Sequence, residues 1–126
     1  MTKQSILTEK APPPGGAYSQ ALSVGDFLFT AGMGPWDPQT RQVVGMTIEE
    51  QTIRTLENIK AVLEAGGASL ADVVKTTVHL SDLGQFSSFN QVYTRYFPDP
   101  KPVRTTVGSQ LSGILVEIDA VAYVGK

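Results

Sequence analysis

The sequence has 126 residues, with Lys+Arg 10, Asp+Glu 12, and a formal net charge of -2, a length that suits one domain, residues 1–126, and is short for two. With Cys 0 and His 1 it has no disulfide, thiolate nucleophile, zinc–cysteine site or iron–sulfur cluster, and no multi-histidine metal centre. The acidic balance provides no basic field for a phosphate backbone, so no nucleic acid partner is expected. Residues 1–7 lack the apolar stretch of a signal peptide, and no 18-residue apolar run occurs in the chain, so no membrane partner is expected and the expected address is cytoplasmic.

Taken in chain order, Pro12-Pro13-Pro14-Gly15-Gly16 reads as a connector, preceded by room for an extra N-terminal strand and followed by a short strand within residues 18–23. Residues 26–32 are apolar and aromatic and predict a second strand, which the turn residues Gly34-Pro35-Trp36-Asp37-Pro38 end. Thr47 followed by Glu50 is a capping-box signal. Ile53, Leu56, Ile59, Val62 and Leu63 then recur at helical spacing until Gly66-Gly67. Val74, Thr76, Val78 and Leu80 alternate with Lys75, Thr77, His79 and Ser81, the period of a half-buried strand. A second helix over residues 85–97 carries Phe86, Phe89, Val92, Tyr93, Tyr96 and Phe97 on one stripe and is closed by Pro98 and Pro100.

The last two strands, residues 103–111 and 114–124, read as a hairpin turning at Ser112-Gly113. The resulting order, β-β-α-β-α-β-β, predicts an α+β fold with both helices packed on one face of a mixed sheet. Along the last strand Ile114, Val116, Ile118, Ala120 and Ala122 point one way, and Leu115, Glu117, Asp119, Val121 and Tyr123 the other. A face mixing carboxylates with large apolar groups suits a subunit interface that contains a polar pocket.

In the hairpin register Arg104 opposes Val121 and Gly108 opposes Glu117, which puts Arg104 and Glu117 on the same face, roughly 13 Å apart along the ladder. One reading is a ligand pocket, with Arg104 gripping a carboxylate in its planar fork and Glu117 handling a proton or a water. The other is an interface salt-bridge network made by the same groups. His79, on the polar side of its strand without a second histidine, reads as a surface or interface residue. Gly32 and Gly34 form no phosphate loop, and the Gly32 N–H is a candidate anion donor. Tyr18, after the glycine-rich loop, is either a pocket phenol or packing, and Asn90 on the second helix has an exposed role as its plain alternative.

Gly16-Ala17-Tyr18-Ser19-Gln20-Ala21, Phe29-Thr30-Ala31-Gly32, Asp72-Val73-Val74-Lys75-Thr76-Thr77-Val78, Phe97-Pro98, Pro102-Val103-Arg104-Thr105-Thr106-Val107 and Val116-Glu117-Ile118-Asp119-Ala120-Val121-Ala122 together resemble the RidA (YjgF) family of small reactive-imine deaminases over nearly the whole chain. The resemblance implies a chorismate-mutase-like α+β fold and a homotrimer with sites in the clefts between subunits. It implies Arg104 as the carboxylate-binding arginine and Glu117 as the water-handling glutamate, with Tyr18, Gly32, Asn90 and Thr106 binding substrate. The implied reaction is hydrolytic deamination of enamine and imine acids of the 2-aminoacrylate/2-iminopropionate type to 2-oxo acids and ammonia, protecting pyridoxal-phosphate enzymes and using no metal or other cofactor. Ala17, Met33, Thr106 and Ser112 depart from the commonest family pattern, and Ala17 and Met33 bear on which imine fits. The alternatives are a non-catalytic 2-oxo acid or partner-binding protein and a pathway-specific deaminase, such as one for 2-aminomuconate. An endoribonuclease activity assigned to some members is disfavoured by the sequence pI of about 5.3.

Overall fold

The computed structural model describes residues 2–125. Six strands form one mixed sheet: β1 (Lys3–Ile6), β2 (Ala21–Val24), β3 (Phe27–Thr30), β4 (Val73–Leu80), β5 (Val103–Gly108) and β6 (Val116–Tyr123), in the spatial order β1-β2-β3-β6-β4-β5. Two helices, α1 (Ile48–Ala65) and α2 (Phe86–Tyr96), cover one face. This is the expected α+β architecture, with β1 as the extra N-terminal strand.

Helix α1 starts where its side chains satisfy the free amides of the first turn. The Glu50 N–H donates to Thr47 Oγ1 at 3.1 Å, while Glu50 Oε1 accepts from the N–H groups of Met46 and Thr47, a complete capping box. Leu56, Ile59, Val62 and Leu63 are fully buried, each contributing about 1.5–3 kcal/mol by leaving water. At the far end Gly66 N–H closes onto the Val62 and Leu63 carbonyls, and a Cβ there would meet Leu28 Cδ2 at 2.3 Å. The helix therefore stops where it touches the sheet. On α2, Phe89, Val92 and Tyr93 are buried and Phe97 follows them inward, as the aromatic stripe predicts.

Chain topology departs from the sequence expectation at its end. β5 pairs with β4 in parallel, joined to it through α2, and β6 pairs antiparallel with β4 on the other side and with β3. Strands β5 and β6 are therefore not a hairpin. The segment 109–115 carries the chain across the end of β4, with Ser109 N–H on the Leu80 carbonyl and Ser81 N–H on the Leu115 carbonyl. Gly113 does turn, at φ 77, but inside this crossing. A parallel pair with a helical crossover fits α2 between the two strands, and local turn residues cannot distinguish it from a hairpin.

The alternation along β6 is as expected: Val116, Ile118, Ala120 and Ala122 are buried under the helices, while Glu117, Asp119 and Val121 are half-buried on the opposite face. That open face also carries Phe27, Phe29 and Tyr123, with the Phe27 and Tyr123 ring centroids 5.1 Å apart and all three side chains at least 40% exposed. No helix among the described residues is long and apolar enough to cross a membrane.

Candidate functional site

The corrected topology moves Arg104 and Glu117 to opposite faces. Thr76 is the partner of both Arg104 on β5 and Ala120 on β6, so Arg104 shares the helix-covered face with Ala120. His79 is the partner of Glu117, which puts Glu117 on the open face. The expected shared face came from the hairpin register, and the observed pairing differs from it by one residue in parity, which reverses the face. Within one chain the two groups form neither a salt bridge nor a joint pocket.

Each instead belongs to its own constellation. On the edge strand β5, Arg104 Nη1 donates to Asn90 Oδ1 at 2.7 Å. Its guanidinium carbon lies 4.7 Å from the Tyr93 ring centroid and 5.2 Å from that of Phe86. The aromatic faces orient and desolvate the cation without neutralising it. Tyr93 is fixed in turn by a 2.7 Å bond between its hydroxyl and Thr76 Oγ1; burial pushes its phenol above the ordinary tyrosine range, against the opposing pull of Thr76 and Arg104. Thr106, two residues along β5 and therefore on the same face, has a buried hydroxyl with no partner among the described residues. An arginine and an unpaired hydroxyl side by side on a sheet edge supply donors of the kind a small anion accepts. The aromatic cradle of Phe86 and Tyr93 was legible in the sequence only as a core stripe.

The second constellation lies across the sheet. Glu117 packs against the backbone of Gly32, where a Cβ would stand 2.9 Å from Glu117 Cδ and 3.0 Å from Oε2. A Cβ at this position would push the carboxylate aside, so the bare glycine lets Glu117 lie close against this backbone. The neighbouring amides are engaged, Ala31 N–H with the Gln20 carbonyl and Met33 N–H with that of Ile118. The Gly32 N–H between them has no backbone partner among the described residues. Tyr18 stands 53% exposed beside Gly32, its hydroxyl accepting from the Gly15 N–H at 2.9 Å. His79 is half-buried next to Glu117, its Nδ1 2.7 Å from Ser109 Oγ. Asp119, one step further along β6, is raised above its ordinary range by burial, with His79 and Lys75 pulling the other way.

The six residues singled out from sequence thus divide into an arginine half (Arg104, Asn90, Thr106) and a glutamate half (Glu117, Gly32, Tyr18). Residues 8–124 match the family model described as Endoribonuclease L-PSP. The chain belongs to this family, the RidA (YjgF) family. It is 54% identical over 125 residues to a RutC family protein of Pyrococcus abyssi, covering 98% of each chain. To Reactive Intermediate Deaminase A, chloroplastic, of Arabidopsis thaliana it is 38% identical over 122 residues, 95% of this chain and 65% of that one. The crystal structure of RidA from an Antarctic Psychrobacter superposes with a TM-score of 0.91 at 39% identity, covering 96% of this chain and 99% of that one. The sheet with its two helices is therefore the RidA-family fold.

Proposed function

We propose that this RidA-family chain hydrolyses 2-imino acids of the 2-iminopropionate type, and their enamine tautomers such as 2-aminoacrylate, to 2-oxo acids and ammonia. The sites are clefts in a homotrimer, where the arginine half of one copy faces the glutamate half of the next. The observation that carries this reading is Arg104, held against aromatic rings and bound to Asn90, with no carboxylate in salt-bridge reach among the described residues. A half-buried guanidinium that spends one N–H on Asn90 and none on a carboxylate is matched to a substrate carboxylate.

Arg104 would take the carboxylate in two parallel hydrogen bonds, and the Thr106 hydroxyl and Gly32 N–H would add donors. This fixes the imine carbon opposite Glu117 and makes water attack a positioned event. Glu117 would accept a proton from that water as its oxygen bonds to the imine carbon, and the imine nitrogen would gain a proton. The carbinolamine then collapses: the C–N bond breaks, ammonia leaves, and the hydroxyl proton is lost to give the carbonyl of a 2-oxo acid. The reaction consumes only water and so calls for no cofactor. Removing such reactive acids would protect pyridoxal-phosphate enzymes. The name of the Arabidopsis relative, a reactive intermediate deaminase, supports this chemistry. A net charge of -2 weighs against the RNA cleavage in the family's description.

The test is the decay of 2-iminopropionate, generated in place by an amino-acid oxidase and trapped with semicarbazide. The expected result is acceleration that is lost in Arg104→Ala and in Glu117→Gln. No acceleration by the native protein, together with pyruvate binding that is lost in Arg104→Ala, would favour a 2-oxo acid binding protein. Turnover confined to a longer enamine acid, such as 2-aminomuconate, would favour a pathway-specific deaminase.

A further inference from the structure

The reaction proposed above leaves one proton without an assigned source. The imine nitrogen must gain it, and Glu117 cannot supply it in the step in which it takes a proton from water. With His 1 the chain has a single histidine, and the fold sets it in register with Glu117. We infer that His79 is the acid of the reaction, giving the proton of its Nε2–H to the imine nitrogen, and that Ser109 holds its ring for that step. The inference rests on the imine-hydrolysis reading and adds a catalytic residue to it.

Three observations carry it. His79 on β4 and Glu117 on β6 are cross-strand partners, and both stand half-buried on the open face of the sheet. Opposed residues of an antiparallel pair have their Cβ atoms about 4.5–5.5 Å apart, so the two side chains rise from one patch. They form no salt bridge among the described residues: the Glu117 carboxylate rests against Gly32, beyond β3, while the imidazole reaches Ser109, beyond β5. An acid and a base that do not neutralise each other can act on the two ends of one small group. Next, the ring is held at one nitrogen and free at the other. Nδ1 lies 2.7 Å from Ser109 Oγ, and Ser109 is itself anchored by its N–H on the Leu80 carbonyl at 2.9 Å. In the protonated ring Nδ1–H donates to that hydroxyl. This leaves Nε2–H, which has no partner among the described residues, as the donor to a ligand. Finally, the charge of the ring is felt along β6: burial raises Asp119, and His79 and Lys75 pull it back. The charged groups facing His79 are Glu117 and Asp119 from β6 and Lys75 from β4; β5 brings Val107 beside it, and residues 109–115 carry no charge.

The protons balance. Water adds to the imine carbon and gives a proton to Glu117, while the imidazolium of His79 gives one to the nitrogen. Glu117 then passes its proton to the amino group of the carbinolamine. The C–N bond breaks with its electron pair on nitrogen, ammonia leaves, and the hydroxyl proton goes to His79. Carboxylate and imidazolium are both restored, and imine plus water has become 2-oxo acid plus ammonia.

The experiment compares kcat/KM for oxidase-generated 2-iminopropionate between about pH 6 and 8, where an imidazole changes charge, in the native protein, His79→Gln and Ser109→Ala. The substrate titrates too, but equally for every variant, so the readout is the ratio of native to variant. The native-to-His79→Gln ratio should be about a hundred at the acid end, as loss of a positioned acid implies, and should fall as pH rises and the native imidazole loses its proton. Ser109→Ala should lower kcat/KM by less and keep the native pH dependence. A ratio that is constant across the range would show a structural role and overturn the assignment while the reaction stands. A native protein without turnover at any pH would overturn the reaction, and the assignment with it. A second readout needs no change at His79. The single histidine has one ring Cε1–H resonance, which should shift when pyruvate, the product, is added to the native protein and should stay unmoved in Arg104→Ala. Pyruvate that binds without moving that resonance would put His79 outside the site and overturn its role, even if His79→Gln fails to fold.

Discussion

Arg104 and Glu117 are asked to do different things, and their substitutions should be distinguishable kinetically. Truncating Arg104 to alanine removes charge-assisted bonds to the substrate carboxylate, worth about 1.5–3 kcal/mol, so KM should rise roughly ten- to a hundredfold. Arg104→Lys should recover little of this, because an ammonium keeps the charge but not the fork. Glu117→Gln keeps the shape and removes the base, so kcat should fall about a hundredfold or more with KM nearly unchanged. Steady-state kinetics on trapped 2-iminopropionate would separate these cases, and a KM effect from Glu117→Gln would contradict its assigned role. Asp119 should show itself in stability. Its carboxyl is raised by burial, so the folded state favours the protonated form; stability is fully present below the unfolded carboxylate value of 3.8 and declines as pH rises through the elevated folded value. Asp119→Asn should therefore stabilise the protein at pH 7 and have little effect near pH 3, as urea denaturation at both pH values would show. The same stabilisation at both would remove the titration argument.

At the level of elements, what was legible depended on how local the signal was. The capping box at Thr47 and Glu50 is written in four consecutive residues, and helix α1 begins there. Thr47→Ala should cost about 1 kcal/mol of stability, measurable as a shift in denaturation midpoint without a change in slope. An unchanged midpoint would mean that packing alone defines the helix start. Strand β4 and the alternation of β6 were equally clear, because period two is visible inside one strand. Strand partnership was not. Ser112-Gly113 has the composition of a hairpin turn, and Gly113 does adopt positive φ. Yet the ladder that decides the faces is set by α2 returning the chain parallel to β4. A one-residue parity difference in that ladder separates Arg104 from Glu117 by the thickness of the sheet. Arg104 and Glu117 were paired through the hairpin register, which the structure overturns, whereas their match to the family motifs did not depend on that register. Their arrangement did, and the Phe86 and Tyr93 cradle of Arg104 became visible only once the chain was folded.

For the whole molecule, the division of the site has a consequence. Arg104 lies on the helix-covered side of edge strand β5 and Glu117 on the open side of central strand β6, so under the proposed reaction a second copy is needed to bring the missing half. The open face, with Phe27, Phe29 and Tyr123 exposed beside half-buried Asp119 and Glu117, is the surface such copies would cover. Light scattering should accordingly give three times the 13.5 kDa of one chain, and a monomeric species that retains full turnover would contradict the shared site. The most direct measurement mixes two impaired proteins and assays them at a 2-iminopropionate concentration below the native KM, where each alone is nearly silent. Arg104→Ala and Glu117→Gln, each lacking one half, are unfolded together at equal concentration, refolded, and assayed on 2-iminopropionate. If the site is shared between copies, about a quarter of the interfaces in the mixture pair an intact arginine half with an intact glutamate half, and activity returns to about that fraction of the native level. A refolded, assembled mixture as inactive as either variant alone would contradict the account.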